Sequence, residues 1–480
     1  MAVKIIALGD IHYGSGVCGI VERRSEIADI FLQKLVNRCN RYIKPDAVVI
    51  LGDLLENHDI PDAAKYLQRL AGLIRQFKCP TITIPGNHDG DIETFYKVID
   101  KPAEWVDIKN VRLLPFVDPE EPHFCAKRLP HDIARIERAR YGFHGKIVSL
   151  QHVPLFPPGT NPCGTNYTNV GEIIPEFRKY GISLSLGAHD HAGVELYNHE
   201  GIYYGAVPGL CESPFGFLEI TFDSDKITSK RHKLKFPENL KLFDWHVHSQ
   251  FAYCGEDITI SSALALAQEL GLAGIGFAEH SDQLYVSRAD WKYGRFFEGG
   301  IDAINNGKNN RVNDYLDEAL KYCRPENVGF ECDSDFYGRL VIDRDSTKRA
   351  GYLIGSVHRV PEQNKPNPSL EKMCDEFMWI IQKFVTSGIK ILAHPFRIFY
   401  RAGFEQPKKL FSPVVKMLKE NNVAAEINFH CNEPPPDFFK MCIDAGVQIT
   451  LGTDSHALWE VGELQPHLDL LKNSVADIYL

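Results

Sequence analysis

The strongest constraint on the fold is a repeated alternation of short apolar strand patterns with amphipathic helix patterns along most of the chain. In the first half, strand patterns at VKIIAL, PDAVVILGD and PTITIPGNHD alternate with helix patterns at VERRSEIADIFLQKLVNRCNRYI and DAAKYLQRLAGLIRQF. Apolar residues in these helix patterns recur at i, i+3, i+4 and i+7, the period of one buried helical face. Alternation of this kind predicts a mostly parallel α/β sheet.

A polar, lysine-rich stretch, SDKITSKRHKLKFPENLK, interrupts the alternation near the middle of the chain. We place a domain boundary near residues 236–240 and expect two domains, 1–238 and 239–480. A chain of 480 residues also exceeds what a single hydrophobic core usually supports. Beyond the boundary, strand patterns such as KLFDWHVH, GIGFAEH and VQITLGTDSH again alternate with helix patterns. Repeated strand–helix units of this kind predict a barrel.

The composition is that of an ordinary globular protein, with 44% apolar and 24% charged residues. The net charge of -10 arises mainly after residue 238, where 33 acidic residues face 25 basic ones, against 30 and 28 before it. Neither half has the basic excess that is typical of a nucleic-acid-binding protein. Bound divalent cations would offset part of the acidity, so the charge is compatible with a polyanionic substrate.

The cysteine pattern and the start of the chain predict an intracellular location. The 12 cysteines are scattered without a CxxC pair, as in a chain whose thiols stay reduced. The start, MAVKIIALGD, has too short an apolar run for a signal peptide, and no apolar run approaches the length of a membrane span. We therefore expect a soluble, cytoplasmic protein with no membrane segment.

Polar side chains follow the strand patterns of the first half, at the strand ends where parallel sheets carry their chemistry. A single such motif is more often a turn or a satisfied polar side chain, but five occur in order, in GDIH, GDLLEN, GNHD, QHVP and GAHDH. Two ions about 4 Å apart need one bridging carboxylate, with imidazole, carboxylate or amide oxygen around them. The five segments supply such ligands in Asp10, His12, Asp53, Asn87, His88, His152, His189 and His191.

This set resembles the calcineurin-like metallophosphoesterase superfamily, whose pattern GDxH, GDxx(D/E), GNH(D/E), H, GHxH is nearly matched across residues 9–191. The resemblance implies a four-layer α/β/β/α sandwich with a dinuclear site. It implies that one metal is held by Asp10, His12, Asp53 and His191 and the other by Asp53, Asn87, His152 and His189, with Asp53 as the bridge.

The same resemblance implies that His88 stays off the metals and acts on the leaving oxygen, as general acid or transition-state stabiliser. One departure from the family pattern is visible, because GAHDH has an alanine where the family usually has a glycine directly before the first histidine. We expect a slightly altered loop there and no lost ligand. The QHVP and GAHDHAG segments look most like the class III cyclic nucleotide phosphodiesterase branch.

A second ordered set of strand-end motifs begins at the HVH of FDWHVHSQ, where two histidines one residue apart on an extended strand face the same side. It continues through FAEHSD, GFECD, GSVH, AHP and GTDSH. Over residues 240–480 this order resembles the polymerase and histidinol phosphatase (PHP) superfamily, which implies a distorted (β/α)7 barrel with up to three metals.

The resemblance assigns the first of these metals to His246, His248, Glu331 and Asp454, and the second to Glu331, His358 and His394. The third would be bound by His280 and His456, and its remaining family position is occupied here by Cys254. A thiolate is a competent ligand for zinc or iron. The alternative is that Cys254 is a small residue beside a site that holds only two ions.

Two arginines, Arg359 and Arg397, stand close after ligand histidines and could clamp a phosphate bidentately, or be solvated surface residues. The remaining histidines match no motif and are assigned to the surface or the core; they are His58, His123, His131, His144, His199, His232, His430 and His467.

Together the two resemblances imply a bifunctional metal-dependent phosphoesterase. The first domain, with two metals expected to be manganese or iron, would hydrolyse a nucleotide or a related small phosphodiester. The second, with two or three ions of zinc, manganese or iron, would remove phosphate from a monoester, and the two steps could follow one another.

Two alternatives stay open. The first is a DNA or RNA nuclease with an ATPase partner, against which the acidic balance argues. The second is a scaffold or regulatory protein with one inactive domain. Two nearly complete ligand sets argue against it, because unliganded buried polar groups are costly.

Overall fold

A computed structural model describes residues 2–15, 20–224, 226–292, 294–305 and 309–474. The chain divides into two compact units, Met1–Phe236 and Pro237–Leu480. Among the helices described, none is long and apolar enough to cross a lipid bilayer.

The first unit contains two main sheets and a small ribbon. Its strands are β1 Val3–Leu8, β2 Ala47–Leu51, β3 Thr81–Ile84, β4 Val106–Ile108, β5 Val111–Pro115, β6 Glu120–Glu121, β7 Cys125–Ala126, β8 Lys146–Leu150, β9 Ile182–Gly187, β10 Val194–His199, β11 Ile202–Ala206, β12 Gly216–Phe222 and β13 Ile227–Lys233. Its helices are α1 Ala28–Arg38, α2 Ala63–Ile74, α3 Ile92–Phe95, α4 Pro130–Arg140 and α5 Val170–Tyr180.

The two sheets of the first unit each combine a parallel centre with antiparallel edges. The first sheet has the order β13-β12-β1-β2-β3; β1, β2 and β3 pair parallel, whereas β12 pairs antiparallel with both β1 and β13. The second has the order β10-β11-β9-β8-β5-β4, with β4 and β10 as the antiparallel strands. The parallel centres place the carboxyl ends of several strands at one edge of each sheet, where the polar motifs stand.

The core of the first unit lies between its two sheets. One hydrophobic cluster joins side chains of the first sheet, such as Val49, to side chains of the second, such as Val148. A second cluster packs the other face of the second sheet against α4 and α5, through Ile136 and Phe177. The α/β/β/α sandwich expected from the sequence is confirmed.

One local expectation for the first unit was wrong. The helix predicted from Val21 begins only at Ser25, where a 3₁₀ turn, Ser25–Ile27, leads into α1. Arg23 lies outside the helix because it forms a backbone bridge with Glu212 and its side chain pairs with Glu212 and Glu56. Within the lysine-rich stretch that interrupts the alternation, residues Ile227–Lys233 form the strand β13. There the backbone bonds of the neighbouring β12 outweigh the polar composition.

The second unit alternates strands and helices throughout. Its strands are β14 Phe243–Val247, β15 Gly274–His280, β16 Val328–Asp333, β17 Tyr352–Ser356, β18 Ile391–Leu392, β19 Ala424–Ile427 and β20 Ile449–Leu451. Its helices are α6 Ile260–Glu269, α7 Phe296–Gly299, α8 Val312–Ala319, α9 Arg344–Arg349, α10 Leu370–Phe384, α11 Arg397–Arg401, α12 Phe411–Asn421, α13 Pro436–Ala445 and α14 Gln465–Ser474.

The seven strands of the second unit form one parallel sheet in sequence order, from β14 to β20. A parallel bridge between Val247 and Ser455 brings the chain after β20 back to β14. Buried Asp244 reinforces this closure, since its carboxylate accepts hydrogen bonds from the backbone N–H of Thr453 at 2.9 Å and from its hydroxyl at 2.6 Å. The distorted seven-stranded barrel expected from the sequence is confirmed.

Local sequence signals set the ends of several helices in this barrel. The hydroxyl of Thr259 accepts a hydrogen bond from the backbone N–H of Ser262 at 3.1 Å, and the Ser262 hydroxyl accepts one from Thr259 at 3.0 Å. This reciprocal cap starts α6. Gly446 ends α13 in the left-handed conformation, with φ of 72°. Such caps set the ends of these helices, and therefore the lengths of the loops that connect them to the neighbouring strands.

Candidate metal centres

The polar motifs of the first unit occupy the loops directly after its parallel strands. Four residues of these loops are in the left-handed region, with φ of 51° at Asp10, 48° at His12, 52° at Asp53 and 65° at His189. Non-glycine residues rarely adopt this conformation, and when they do they cluster at functional sites. The turns aim these four side chains toward one another.

The first cluster contains Asp10, His12, Asp53 and His191. Nε2 of His12 lies 3.2 Å from Nε2 of His191 and 3.5 Å from Oδ2 of Asp53. Nε2 of His191 lies 3.6 Å from Oδ1 of Asp10. Asp10, His12 and Asp53 are almost completely buried. Four ligand-type atoms therefore converge on one small volume.

The second cluster contains Asp53, Asn87, His152 and His189. Nε2 of His152 lies 3.1 Å from Oδ1 of Asn87, 3.1 Å from Nδ1 of His189 and 3.3 Å from Oδ2 of Asp53. The alanine before His189 has not displaced this histidine from the cluster. Oδ2 of Asp53 belongs to both clusters, which is the geometry that two adjacent ions with one shared carboxylate require.

The imidazoles are oriented by groups behind them. His152 donates from Nδ1 to the carbonyl oxygen of Leu51 at 2.7 Å, so its Nε2 faces the cluster. Nδ1 of His12 lies 3.4 Å from Oε2 of Glu56, and Nδ1 of His191 lies 2.6 Å from Oε1 of Glu212. Partners of this kind fix the ring and raise the basicity of the facing nitrogen.

Arg23 links the two supporting carboxylates of this site. Its guanidinium donates to Glu56 at 3.1 Å and to Glu212 at 3.1 Å. The motif analysis did not single out Glu56 as a functional residue, although it stands at the last position of GDxx(D/E) and could have been found there. Arg23 and Glu212 belong to no motif, so no sequence signal marked them.

A further buried carboxylate, Asp89, ties the loops together. It accepts hydrogen bonds from the backbone N–H groups of Leu54 at 2.8 Å, Leu55 at 2.9 Å and Gly86 at 2.8 Å. Burial, together with the nearby charge of Asp53, raises the pKa of Asp89 to about 7. The loops that carry Asp53 and Asn87 are thus fixed relative to one another.

His88 lies beside the first cluster. Its backbone N–H donates to Oδ1 of Asp53 at 2.9 Å, and its Nδ1 donates to the carbonyl oxygen of Glu56 at 2.8 Å. Its ring makes an edge contact with His12, with centroids 4.7 Å apart. Ligand-type atoms of His12, Asp53 and His88 lie within 4.8 Å of one another, so the geometry also admits His88 as a ligand.

The electrostatics of the first site reflect one dominant charge pair. Burial opposes ionisation of both partners, but the attraction between His152 and Asp53 is stronger. It raises the pKa of His152 to about 10 and lowers that of Asp53. Burial and the adjacent His152 lower the pKa of His189 to about 4. The shared carboxylate therefore stays ionised and attracts positive charge into the site.

In the second unit, His246, His248, Glu331 and Asp454 form a fully buried cluster whose ligand-type atoms lie within 4.8 Å of one another. Nε2 of His248 lies 3.0 Å from Oδ1 of Asp454 and 3.6 Å from Oε2 of Glu331. Nε2 of His246 lies 3.6 Å from each of the same two oxygens.

The Nε2 atom of His246 shows how well this cluster fits a cation. This atom is buried and has no hydrogen-bond partner among the described residues. Its other ring nitrogen, Nδ1, donates to Oε1 of Glu426 at 2.8 Å, so Nε2 faces the two carboxylates. Although burial opposes it, the carboxylates of Glu426, Asp454 and Glu331 raise the pKa of His246 well above its usual range, so this buried position favours a positive charge, which a bound cation would supply. Glu426 carries no motif and was not singled out from the sequence.

Glu331 also reaches His358 and His394. Its Oε1 lies 3.1 Å from Nε2 of His394 and 3.5 Å from Nε2 of His358. Arg397 enters this group, because its guanidinium donates to Nε2 of His358 at 2.6 Å and to Oδ2 of Asp454 at 2.6 Å. Behind it, Nδ1 of His358 contacts Oδ1 of Asp333 at 2.6 Å. Arg397 is therefore a buried member of the site.

A third group of ligand-type side chains lines a cavity of the second unit. Nε2 of His280 lies 3.2 Å from Nε2 of His456, and the His248 ring stacks on His280 with centroids 4.1 Å apart. Cys254 lines the same cavity and accepts a hydrogen bond from the Gln283 amide at 3.3 Å. Burial opposes ionisation of the Cys254 thiol, but the neighbouring His280 and His456 outweigh this effect and lower its pKa to about 4.

His430 has surroundings that the sequence did not indicate, and Arg359 lies near an aromatic ring. His430, assigned to the surface or the core from the sequence, stacks on His456 with ring centroids 4.8 Å apart and contacts Oε1 of Glu460 at 3.1 Å. No motif contains it, so only the fold reveals its place. The guanidinium of Arg359 lies 5.7 Å from the centre of the Phe297 ring.

Comparisons with known proteins agree with this geometry. The family model for calcineurin-like phosphoesterases matches residues 3–193, and the model for the PHP domain matches residues 244–430. The search of curated proteins found no match.

Among solved structures, a dimetal phosphatase from Danio rerio is 12% identical with a TM-score of 0.42, covering 48% of this chain and 96% of its own. The calcineurin-like phosphoesterase YfkN from Bacillus subtilis is 12% identical with a TM-score of 0.33, covering 48% and 90%. Both TM-scores are too low to support a conclusion. The two family matches identify a calcineurin-like phosphoesterase domain at residues 3–193 and a PHP domain at residues 244–430. The chain is therefore a metal-dependent phosphoesterase.

Proposed function

We propose that the chain is a bifunctional phosphoesterase in which the domain 1–238 hydrolyses a small phosphodiester and the domain 239–480 removes phosphate from a monoester. The observation that carries the proposal is the presence of two separate clusters, each organised around one shared carboxylate. Asp53 contacts both groups of the first site, and Glu331 contacts His246, His248, His358 and His394 of the second.

In the first domain, Asp10, His12, Asp53 and His191 would hold one divalent ion and Asp53, Asn87, His152 and His189 the other, with manganese or iron as the expected metals. Bound ions would supply Lewis acidity toward a phosphoryl group and a nucleophile at neutral pH. The supporting contacts of Glu56 and Glu212 keep the His12 and His191 rings facing the cluster.

His88 is proposed to act on the leaving oxygen of the first reaction. Its Nδ1 donates to the carbonyl oxygen of Glu56 at 2.8 Å, which leaves Nε2 as the ring nitrogen that can act on the leaving oxygen. A proton there can be donated to an alkoxide or can stabilise its charge, which contributes about 10²- to 10⁴-fold in comparable enzymes.

In the second domain, the ligand set of His246, His248, Glu331 and Asp454 is proposed to hold the first ion, and Glu331, His358 and His394 the second. His280, His456 and Cys254 are proposed to hold a third. Zinc, manganese or iron would suit these imidazole, carboxylate and thiolate ligands. Arg397 is proposed to contact a phosphate dianion, which a bidentate guanidinium favours. Arg359 is proposed as a second phosphate contact.

The substrate is proposed to be a nucleotide or a related small diester, and the two domains are proposed to act in sequence. Hydrolysis of a diester leaves a dianionic monoester, and a cluster of cations with an adjacent arginine favours a dianion. A shared chain would also keep the second site close to the product of the first.

Separating the two activities tests the proposal. Asp53→Asn should abolish hydrolysis of bis(4-nitrophenyl) phosphate and leave hydrolysis of 4-nitrophenyl phosphate within about twofold of wild type. His248→Ala should do the opposite. If each variant lost both activities while remaining folded, the division into two sites would be wrong.

A further inference from the structure

The loop Asp118–Arg128 of the first unit is held rigidly at both ends. The side chain of Arg128 is completely buried and donates to Oδ2 of Asp118 at 2.9 Å. The hydroxyl of Tyr167 donates to the same oxygen at 2.6 Å. Nearer the tip, the backbone N–H of Lys127 donates to the carbonyl oxygen of Pro119 at 3.2 Å. The base of this loop is therefore fixed to the core.

The tip of the same loop is strained and apolar. His123 and Phe124 are consecutive non-glycine residues in the left-handed region, with φ of 65° and 59°. For a bulky residue such as phenylalanine this backbone conformation is rare. The conformation leaves the Phe124 side chain 61% exposed to water. A strained backbone that keeps an aromatic ring exposed suggests that the ring serves a ligand.

The position of Phe124 indicates which kind of ligand its ring could contact. Its ring centroid lies 6.2 Å from that of His189, at a tilt of 44°. Phe124 lines the cavity that also contains Asn87 and His152 of the second cluster. Ile92, which is 46% exposed, lines the same cavity. The cavity thus has the polar side chains of the second cluster, which suit a phosphate, next to the apolar side chains of Phe124 and Ile92, which could contact the rest of the substrate.

We propose that Phe124 is a specificity-determining residue that stacks on a nucleobase of the diester substrate. This inference rests on the proposed diesterase function and specifies the substrate class of that site. A single exposed ring on an anchored loop presents one flat face, and planar aromatic groups stack well on such a face. A flexible aliphatic alcohol gains little from one ring, so a base-bearing alcohol fits better than a glycerol-type alcohol.

A matched pair of substrates isolates the base. The methyl ester of adenosine 5′-phosphate and the methyl ester of ribose 5-phosphate contain the same scissile bond and differ in that an anomeric hydroxyl replaces the adenine. Stacking on one aromatic side chain is worth roughly 5- to 150-fold in binding. In the presence of Mn²⁺, wild type should therefore prefer the adenosine ester in kcat/KM by about tenfold or more, mainly through KM.

The variants then test the residue. Phe124→Ala should lose the preference by raising KM for the adenosine ester alone, and Phe124→Trp should retain it. Tyr141→Ala removes another aromatic ring of the same unit, one that is 90% exposed, and should leave kcat/KM unchanged for both substrates. A wild-type enzyme without the preference, or a Phe124→Ala enzyme that keeps it, would overturn the inference.

Calorimetric binding of adenosine 5′-phosphate and ribose 5-phosphate in Mn²⁺ buffer gives a readout independent of turnover when every protein compared also carries Glu331→Gln, so that the second domain does not hydrolyse the monoesters. If the base strengthens binding and Phe124→Ala removes that effect, while neither ester is hydrolysed, the inference holds and the proposed diesterase function fails. If both esters are hydrolysed but the base affects neither turnover nor binding, the function holds and the inference fails. Absence of both binding and hydrolysis would overturn both.

Discussion

The guanidinium of Arg397 donates a hydrogen bond to Nε2 of His358 at 2.6 Å, and the same side chain donates to Oδ2 of Asp454 at 2.6 Å. Nε2 is the atom through which His358 faces Glu331, at 3.5 Å from its Oε1. His358 cannot offer that lone pair to an ion while Arg397 uses it. The proposed second ion therefore requires Arg397 to turn away from His358, which frees the guanidinium to contact a phosphate.

This relationship predicts the behaviour of an Arg397→Met variant. We expect KM for a monoester to rise roughly 10- to 100-fold, because a charge-assisted hydrogen bond contributes about 1.5–3 kcal/mol. The metal content of the second domain should stay the same or increase, since His358 loses a competitor. Steady-state kinetics with elemental analysis of the same preparation checks both. A fall in metal content with unchanged KM would show that Arg397 supports the ligands and does not contact phosphate.

Metal stoichiometry tests the assignment of Cys254. Protein purified without chelator under metal-replete conditions should contain about four to five ions per chain, two in the first domain and two or three in the second. Cys254→Ser should lower the total by about one, because the weaker hydroxyl replaces the thiolate. Cys431→Ser is the matched control, since Cys431 is an exposed cysteine lining the same cavity, and should leave the content unchanged. A content of two or fewer in wild type would refute one of the two metal sites.

His88 should separate catalysis from metal binding. We expect His88→Ala to keep the metals of the first domain and to lose about 10²- to 10⁴-fold in diesterase rate, as for a residue that acts on the leaving group. His131→Ala replaces a histidine on the exposed surface, with 74% of its side chain accessible, and should be neutral. Loss of metal in the His88→Ala protein would instead identify His88 as a ligand, which its distance to His12 and Asp53 permits.

The buried pair of Arg128 and Asp118 predicts a stability effect in the first unit. Both side chains are almost inaccessible, at 0% and 2% exposure. Arg128→Met should destabilise this unit by about 3–5 kcal/mol, because it leaves the Asp118 charge buried without its partner. The double variant Arg128→Met with Asp118→Leu should recover much of the loss. Urea unfolding followed by circular dichroism measures both, and an equal loss in the two variants would contradict this reason.

Much of the fold could be predicted from the sequence because strand and helix periods are local signals. The succession of strands and helices along much of the chain follows from the alternation. The resemblance to two families, in turn, specified a sandwich and a barrel. The start of α1 and the strand β13 could not be predicted, since tertiary partners decide both. Arg23 is drawn out of the helix pattern by Glu56 and Glu212, and β13 is held by β12.

The residues of the candidate sites also fall into those that local motifs indicate and those that only the fold brings together. Residues such as Asp53 and His152 stand in short motifs at strand ends, and the sheet brings strand ends together. Residues such as Arg23, Glu426 and His430 are brought in by the fold from segments without a motif, so the sequence could not mark them. The roles of the clustered residues as ligands remain predictions for the variants above.

The central claim is that two separate sites act in sequence on one diester, and a time course by ³¹P NMR tests it most directly. With the adenosine 5′-phosphate methyl ester, wild type should release inorganic phosphate with little free monoester. Glu331→Gln should accumulate the monoester at close to the wild-type rate of diester loss, and Asp53→Asn should leave the diester intact. Release of phosphate by Glu331→Gln at the wild-type rate, or a second domain that ignores the monoester, would contradict the account.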